Sequence, residues 1–183
     1  MKNSIFVLSA PSGTGKTTII KKLKNKLKNT EVITTFTTRK PRKGEKNGVD
    51  YFFINKKEFE KMIKDGKFAE WSIVYGNYYG TPKREIERVL RNKRNVLLVI
   101  DTQGGLKIKN KYPETYLIGI LPPSLKEQEN RMRKRGDMSE SEIIERLNKS
   151  REERKILFKY YDYRLINKDI EKTVERIKKI IES

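Results

Sequence analysis

Residues 9–18 read SAPSGTGKTT, and this stretch decides the fold. It follows a continuous apolar run, Ile5–Ser9, which is typical of a strand buried on both faces of a parallel sheet. Apolar residues at helical spacing, such as Ile19 and Leu23, come after it. The stretch therefore predicts an α/β fold built on a parallel sheet, with a phosphate-binding loop at the end of its first strand.

The loop has the chemistry of a phosphate cradle. Its glycines let the backbone wrap around an anion, and the helix that follows points the positive end of its dipole inward. Lys16 is expected to reach the β- and γ-phosphates of ATP, and the Thr17 hydroxyl is placed for Mg²⁺. The strict motif begins with Gly where this chain has Ala10, so the match is slightly loosened. The residues expected to bind ATP here are Ala10, Pro11, Ser12, Gly13, Thr14, Gly15, Lys16, Thr17 and Thr18.

The rest of the chain alternates strand-like and helix-like patterns. Apolar runs at 96–100, 116–121 and 163–166 predict further buried strands, and residues 170–181 carry apolar side chains at helical spacing. Such alternation favours a parallel sheet sandwiched by helices, which together with the loop indicates the P-loop NTPase fold.

Two segments interrupt the alternation. Residues 35–81 combine Thr-rich, basic and aromatic stretches and are interpreted as an inserted lobe. Residues 124–160 are highly charged and predict two helices, capped at Ser124 and separated at Gly136-Asp137. A chain of 183 residues has room for one domain. We divide it into this lobe, this helical region, and a core of residues 1–34, 82–123 and 161–183.

The composition excludes several kinds of site. The chain has neither cysteine nor histidine, which excludes disulfides, thiolate or imidazole metal sites and Ser-His catalysis. Its net charge is +19, from 43 basic and 24 acidic residues, and this balance favours anionic partners. The lysines are spread along the whole chain without a nucleic-acid-binding motif, so we expect small anionic substrates rather than nucleic acid.

The sequence gives no indication of a membrane or secretory protein. No segment approaches the roughly 18 consecutive apolar residues of a membrane span. Residues 1–4 lead directly into the first strand without a cleavage signal. We therefore expect a cytoplasmic protein with no membrane partner, and the oligomeric state stays open.

The lobe carries side chains suited to a second, phosphate-bearing substrate. Arg39 and Arg42 flank a proline-stiffened turn, and guanidinium forks match the geometry of phosphate. Tyr51 and Tyr79 add phenolic hydroxyls, and Glu70 adds a carboxylate between aromatic residues.

Several blocks, in a fixed order, resemble the guanylate kinase family over essentially the whole chain. They are Ser9–Thr18, Thr37–Arg42, Gly44–Tyr51, Glu70–Trp71, Gly76–Gly80 and Ile100–Gly104. The resemblance implies an enzyme that transfers the γ-phosphoryl group of Mg-ATP to GMP, and by extension to dGMP. It also implies that the inserted lobe binds GMP and that the charged helices form a lid.

The resemblance assigns roles residue by residue. Implied to hold the GMP phosphate are Arg39, Arg42, Tyr51 and Tyr79, with Glu45 as a positioning residue. Implied to lie near the guanine base are Thr35, Glu70, Thr81 and Asp101. Implied to stabilise the transferred group are Lys16 and the lid arginines Arg131, Arg135 and Arg146. Asn167 is implied to contact the adenine of ATP.

The chemistry of guanine agrees with these roles. Guanine presents N1–H and an exocyclic amino group side by side, and a carboxylate such as Glu70 can accept from both. Adenine lacks the N1–H, so the same site would reject it. The Thr81 hydroxyl is expected to donate to guanine O6.

Two features bear on the mechanism. An acceptor phosphate is already an anion near neutral pH, so transfer needs no general base, which suits a chain without histidine. The family often has an acidic residue two positions before Asp101, where this chain has Val99. Thr17 is therefore the one side chain we place beside Mg²⁺.

Three other functions fit parts of the pattern. The intact Lys16 disfavours a non-catalytic guanylate-kinase-like binding module. Glu70 and the arginine pair disfavour a kinase for another acceptor. A basic nucleic-acid binder would follow from the charge alone, and its affinity would fall steeply with salt.

Overall fold

The computed structural model describes residues 3–136 and 138–183, and it contains two β-sheets. The strands are β1 (Ile5–Ser9), β2 (Thr30–Val32), β3 (Phe36–Thr37), β4 (Phe52–Phe53), β5 (Phe68–Val74), β6 (Asn77–Pro82), β7 (Asn95–Val99), β8 (Tyr116–Leu121) and β9 (Tyr163–Ile166). The helices are α1 (Lys16–Lys26), α2 (Lys56–Lys64), α3 (Lys83–Arg91), α4 (Thr102–Lys111), α5 (Leu125–Arg135), α6 (Glu140–Tyr160) and α7 (Ile170–Glu182).

The larger sheet is parallel throughout, in the order β2-β7-β1-β8-β9. Its four predicted strands are confirmed, with β7 displaced by one residue, and β2 is a short edge strand that the pattern did not predict. Because the strands are parallel, their carboxyl ends meet at one edge, where such sheets bind ligands.

Helices cover both faces of this sheet, and alternate residues of β1 face them. Phe6 and Leu8 lie in one core cluster with residues of α1 and α7. Val7 lies in the other, with residues of α3, α4 and α6. Every residue of β1 is therefore buried, as its unbroken apolar sequence requires.

The smaller sheet is formed within the segment interpreted as an inserted lobe, in the order β4-β3-β6-β5. Its core is aromatic, with the Phe59 ring of α2 stacked on Phe68 at 4.5 Å. Gly80 passes so close to both rings that a Cβ there would lie 2.8 Å from each. This close approach explains the glycine, because no larger residue fits.

Helices α5 and α6 form the predicted charged pair. Ser124 caps α5 by accepting from the Glu127 backbone N–H, which confirms the predicted cap. Gly136 ends α5 in the left-handed conformation at φ 67°, and residue 137 lies outside the described residues. Within residues 3–136 and 138–183, no helix combines the length and the apolar character needed to cross a membrane.

Candidate active site

A cleft of about 870 Å³ opens between the loop after β1 and the smaller sheet. Nearly all of the predicted site residues lie along its walls. Those lining it are residues 10–18, Thr35, Arg39, Arg42, Glu45, Tyr51, Glu70, Tyr79, Asp101, Arg131, Arg146 and Asn167. The cleft therefore brings together side chains that are distant in the sequence.

The loop at residues 10–17 has the backbone geometry of an anion site. Gly13 and Gly15 have φ of 76° and 94°, a conformation that glycine adopts readily. Helix α1 starts at Lys16 with no acidic residue in its first turn and no side-chain cap among the described residues. Its N–H groups and the positive end of its dipole are thus available to an anion in the cleft. Ala10, in place of glycine, belongs to the core cluster under the loop.

Asn167, which lies between β9 and α7, holds this loop in place by hydrogen bonds. Its side-chain amide donates to the Thr14 carbonyl oxygen at 2.7 Å, and its side-chain oxygen accepts from the Thr173 hydroxyl at 3.0 Å. The side chain is 1% exposed. Its amide therefore positions the loop, and the adenine contact that the resemblance implied stays a prediction.

Asn167→Ala is expected to lower the free energy of unfolding by about 1–3 kcal/mol, because it removes the side chain that donates to the Thr14 carbonyl in the buried environment of the loop. Urea denaturation measures the change, with the exposed neighbour Lys168→Ala as a control. Equal stability of the two variants would contradict the fastening role.

Gln128 of α5 makes a similar connection that sequence reasoning missed. Its amide donates to the Ser12 carbonyl oxygen at 2.6 Å, and its side-chain oxygen accepts from the Ser150 hydroxyl at 2.9 Å. Gln128 and Ser150 are both fully buried. The loop, α5 and α6 are thereby joined through one side chain.

Glu45 organises the two arginines of the lobe. Its carboxylate accepts from Arg39 Nη2 at 2.9 and 3.0 Å and from the Arg42 backbone N–H at 2.7 Å. Burial alone would raise the pKa of Glu45, but these hydrogen bonds and charges outweigh it and hold the pKa below its ordinary value. Glu45 thus stays ionised and fixes the geometry of both arginine segments.

Two tyrosines stand beside this network. The rings of Tyr51 and Tyr79 meet edge to face at 6.0 Å, and the Arg39 guanidinium lies 5.5 Å from the Tyr51 centroid. Burial raises the pKa of Tyr51, so its hydroxyl keeps its proton and remains a donor. The group as a whole offers cations and hydroxyl donors to an anion.

The Glu70 carboxylate is buried, and its two oxygens differ in their hydrogen bonding. The residue is 6% exposed, and its Oε1 accepts from the Thr81 hydroxyl at 2.5 Å. Its Oε2 is buried without a hydrogen-bond partner in the described part of the chain. Gly104 makes room for this oxygen, because a Cβ there would lie 2.9 Å from it. Burial raises the pKa of Glu70 to about 7.

The structure differs from the prediction for Thr81. This residue pairs with Glu70 across the β5–β6 ladder and is fully buried behind it. Its hydroxyl proton is directed to Glu70 Oε1, whereas the sequence led us to expect donation to guanine O6. Thr81 therefore orients Glu70 rather than facing the cleft.

Both side-chain oxygens of Asp101 also accept hydrogen bonds from protein groups. It caps α4 by accepting from the backbone N–H groups of Gln103 and Gly104, and its other oxygen accepts from the Ser72 hydroxyl at 2.6 Å. Ser72, which sequence reasoning missed, thus links the smaller sheet to the core. Asp101 lines the cleft as well as capping α4, and its place near the guanine base stays a prediction.

The cleft offers few side chains to a metal ion. No cluster of three or more acidic side chains that could hold one occurs within 3–136 and 138–183. Val99 ends β7 at the cleft, and Thr17 is exposed at the start of α1. A hydroxyl beside a phosphate cradle suits Mg²⁺, which takes most of its ligands from nucleotide phosphates and water.

The arginines predicted for the lid approach the loop from α5 and α6. Arg131 donates to Glu127 at 2.8 Å, and Arg146 donates to the Ser12 hydroxyl oxygen at 3.3 Å. Arg135 ends α5, and its side chain lies outside the described part of the structure. Two guanidinium groups therefore reach the cleft opposite Lys16 and the lobe.

Comparison with known proteins gives a consistent result. Residues 2–183 match the family model described as guanylate kinase. Guanylate kinases of Caldanaerobacter subterraneus and Clostridioides difficile are 47% and 44% identical to the chain, over 97% and 100% of it and 85% and 88% of their own lengths. The crystal structure of guanylate kinase from Anaplasma phagocytophilum matches with a TM-score of 0.83 at 34% identity, covering 98% of this chain and 85% of that one.

Proposed function

The chain belongs to the guanylate kinase family and is an ATP:GMP phosphotransferase, and we propose that the cleft after β1 carries out this transfer. The observation that carries the assignment to this cleft is the Glu70 carboxylate, which belongs to a residue lining the cleft and whose buried Oε2 has no hydrogen-bond partner among the described residues. A buried acceptor without a partner is costly, so its place in a binding cleft favours a ligand that donates to it.

On the acceptor side, we propose that guanine donates its N1–H and amino group to the Glu70 carboxylate. Thr81 holds that carboxylate from behind, and Thr35 contributes to the wall of the base pocket. The GMP phosphate binds to the cations and hydroxyls around Glu45: Arg39, Arg42, Tyr51 and Tyr79. The Arg39 side chain and the backbone at Arg42 need no large rearrangement, because Glu45 already holds both.

On the donor side, the ATP phosphates lie in the loop at residues 10–18, with Lys16 directed at the β- and γ-phosphates. Asn167 keeps the loop in shape from behind. Thr17 would hold Mg²⁺, which when bound neutralises charge on the phosphates.

For the transfer itself, we propose that a GMP phosphate oxygen attacks the γ-phosphorus in line and that the bond to the bridging oxygen breaks, leaving ADP. Lys16, Arg131 and Arg146 neutralise the equatorial oxygens, and Arg135 stays a prediction for the same task. No side chain has to remove a proton, because the attacking oxygen carries none at neutral pH.

We propose residues 35–81 as the GMP-binding lobe and residues 124–160 as the lid region, working in a cytoplasmic enzyme. Leu157 is buried in the core cluster, which supports a lid limited to α5 and the first turns of α6. Closure of both parts would keep water from the γ-phosphate.

A coupled assay of ADP release tests the acceptor. With ATP and Mg²⁺, GMP should be turned over with a kcat/KM at least about 100-fold above that of AMP or UMP, because the other bases leave Glu70 unpaired. Equal rates with AMP would refute the guanine site. No turnover with any acceptor would favour a binding module instead.

A further inference from the structure

The hairpin between β5 and β6 turns in an unusual way. Val74 pairs with Asn77, so only Tyr75 and Gly76 form the turn, with φ of 50° and 72°. Turns with two positive φ angles are normally built from Asn, Asp or Gly, which adopt them at low cost. An aromatic residue at the first position is strained, and such strain persists where the surroundings hold the residue for a purpose.

The contacts of the Tyr75 side chain indicate that purpose. The Arg146 guanidinium lies 4.6 Å from the ring centroid and the Lys149 ammonium 4.5 Å from it, both within cation–π range. The Tyr75 hydroxyl lies close enough to the Ser12 side chain for the two to interact. Arg146 donates to the same Ser12 oxygen. One ring from the acceptor lobe thus meets two cations of α6 and a hydroxyl of the phosphate-binding loop.

We propose that Tyr75 is a positioning residue for phosphoryl transfer, and that its ring holds Arg146 beside the phosphate-binding loop before the substrates arrive. The inference rests on the role proposed above for Arg146. Arginine has a long, freely rotating side chain, so holding it in advance reduces the entropy lost on the way to the transition state.

Electrostatics supports this role. Arg146 and Lys149 are three residues apart on one helix, and like charges at this spacing repel each other. The electron-rich faces of the Tyr75 ring attract both groups and keep them at the cleft. Because Tyr75 belongs to the acceptor lobe, the position of this lobe and the position of Arg146 are linked.

Two substitutions of Tyr75 distinguish the contribution of its ring from the effect of the strained turn. Tyr75→Asn suits the positive φ but removes the ring, so we expect roughly a 5- to 10-fold lower kcat, an unchanged KM for GMP and no loss of thermal stability. Tyr75→Phe keeps the ring and should stay within about two-fold of the parent kcat. A parental kcat in Tyr75→Asn, or an equal loss in Tyr75→Phe, would overturn the proposal.

A double-mutant cycle shows whether Tyr75 acts through Arg146. In an Arg146→Ala background, Tyr75→Asn should have little further effect on kcat, whereas additive losses would overturn the proposal. If Arg146→Ala alone keeps the parental kcat, the role proposed for Arg146 fails and the inference fails with it. If Arg146→Ala is impaired and Tyr75→Asn is not, only the inference about Tyr75 fails.

Discussion

Lys16→Ala is expected to lower kcat for GMP phosphorylation by roughly 10³-fold or more. Lys16 is the first residue of α1 and lines the cleft at the phosphate-binding loop. Its ammonium group would meet charge that develops as the γ-phosphoryl group moves. Removing it leaves the helix dipole and the arginines, which act from other directions.

A matched control is Lys21→Ala, which removes one positive charge from an exposed position of the same helix at the margin of the cleft. It should change kcat by less than about three-fold, because an exposed charge is screened by solvent and salt. Rapid-quench measurements of single turnovers report the chemical step for both variants. Similar losses in the two would mean that net charge, and not the position of Lys16, governs the rate.

Glu70→Gln is expected to lower kcat/KM for GMP by about 100-fold or more while leaving ATP binding nearly unchanged. The amide of glutamine presents donors as well as an acceptor, so it cannot accept from both guanine N1–H and the amino group. In the proposed site ATP binds at the loop across the cleft, so its binding should not depend on this carboxylate. Steady-state kinetics with GMP and calorimetric titration with an ATP analogue measure the two effects.

The pH dependence of GMP binding provides the control. Burial raises the pKa of Glu70 to about 7, and guanine requires the ionised form. GMP affinity of the parent should therefore rise as pH increases through 7, by up to ten-fold per unit below it. The phosphate of GMP also titrates in this range, but it does so equally with Glu70→Gln. The difference between the two pH profiles thus isolates Glu70, and identical profiles would remove it from the site.

The free energy of unfolding should change with pH in the direction opposite to that of GMP affinity. A buried carboxyl whose pKa is raised in the folded state favours folding below its unfolded pKa, near 4.5, and this contribution is lost as pH rises through about 7. At pH 8 the parent therefore contains a destabilising carboxylate that Glu70→Gln lacks. The variant should be at least as stable as the parent there, so loss of activity cannot be attributed to unfolding.

The sequence predicts the sheet well where its strands are buried on both faces. β1, β7 and β8 read as continuous apolar runs because both faces meet helices. β2 could not be predicted in this way, because Thr30–Val32 is a three-residue edge strand in which only the first residue is buried. Two-residue strands such as β3 and β4 likewise have no periodicity of their own.

The site is predictable to the extent that its residue types reveal its chemistry. Phosphate binding is indicated by residue type alone for the glycines, Lys16 and the arginine pair. The roles of Thr81 and Asp101 depend instead on which neighbours use their polar atoms, and spacing along the chain does not contain that information. Gln128 illustrates the limit, because it reaches Ser12 across 116 positions of sequence.

The connection between Asn167 and Thr14 has a consequence for biosynthesis. Its two ends are 153 positions apart, and Thr173 completes it from still further along. A nascent chain therefore exposes its phosphate-binding loop long before the ribosome has delivered the residues that hold the loop in shape. Domains fold as cooperative units during translation, so nucleotide binding should mature only after β9 and the start of α7 have emerged. Prematurely terminated products would then be released without the capacity to sequester cellular ATP.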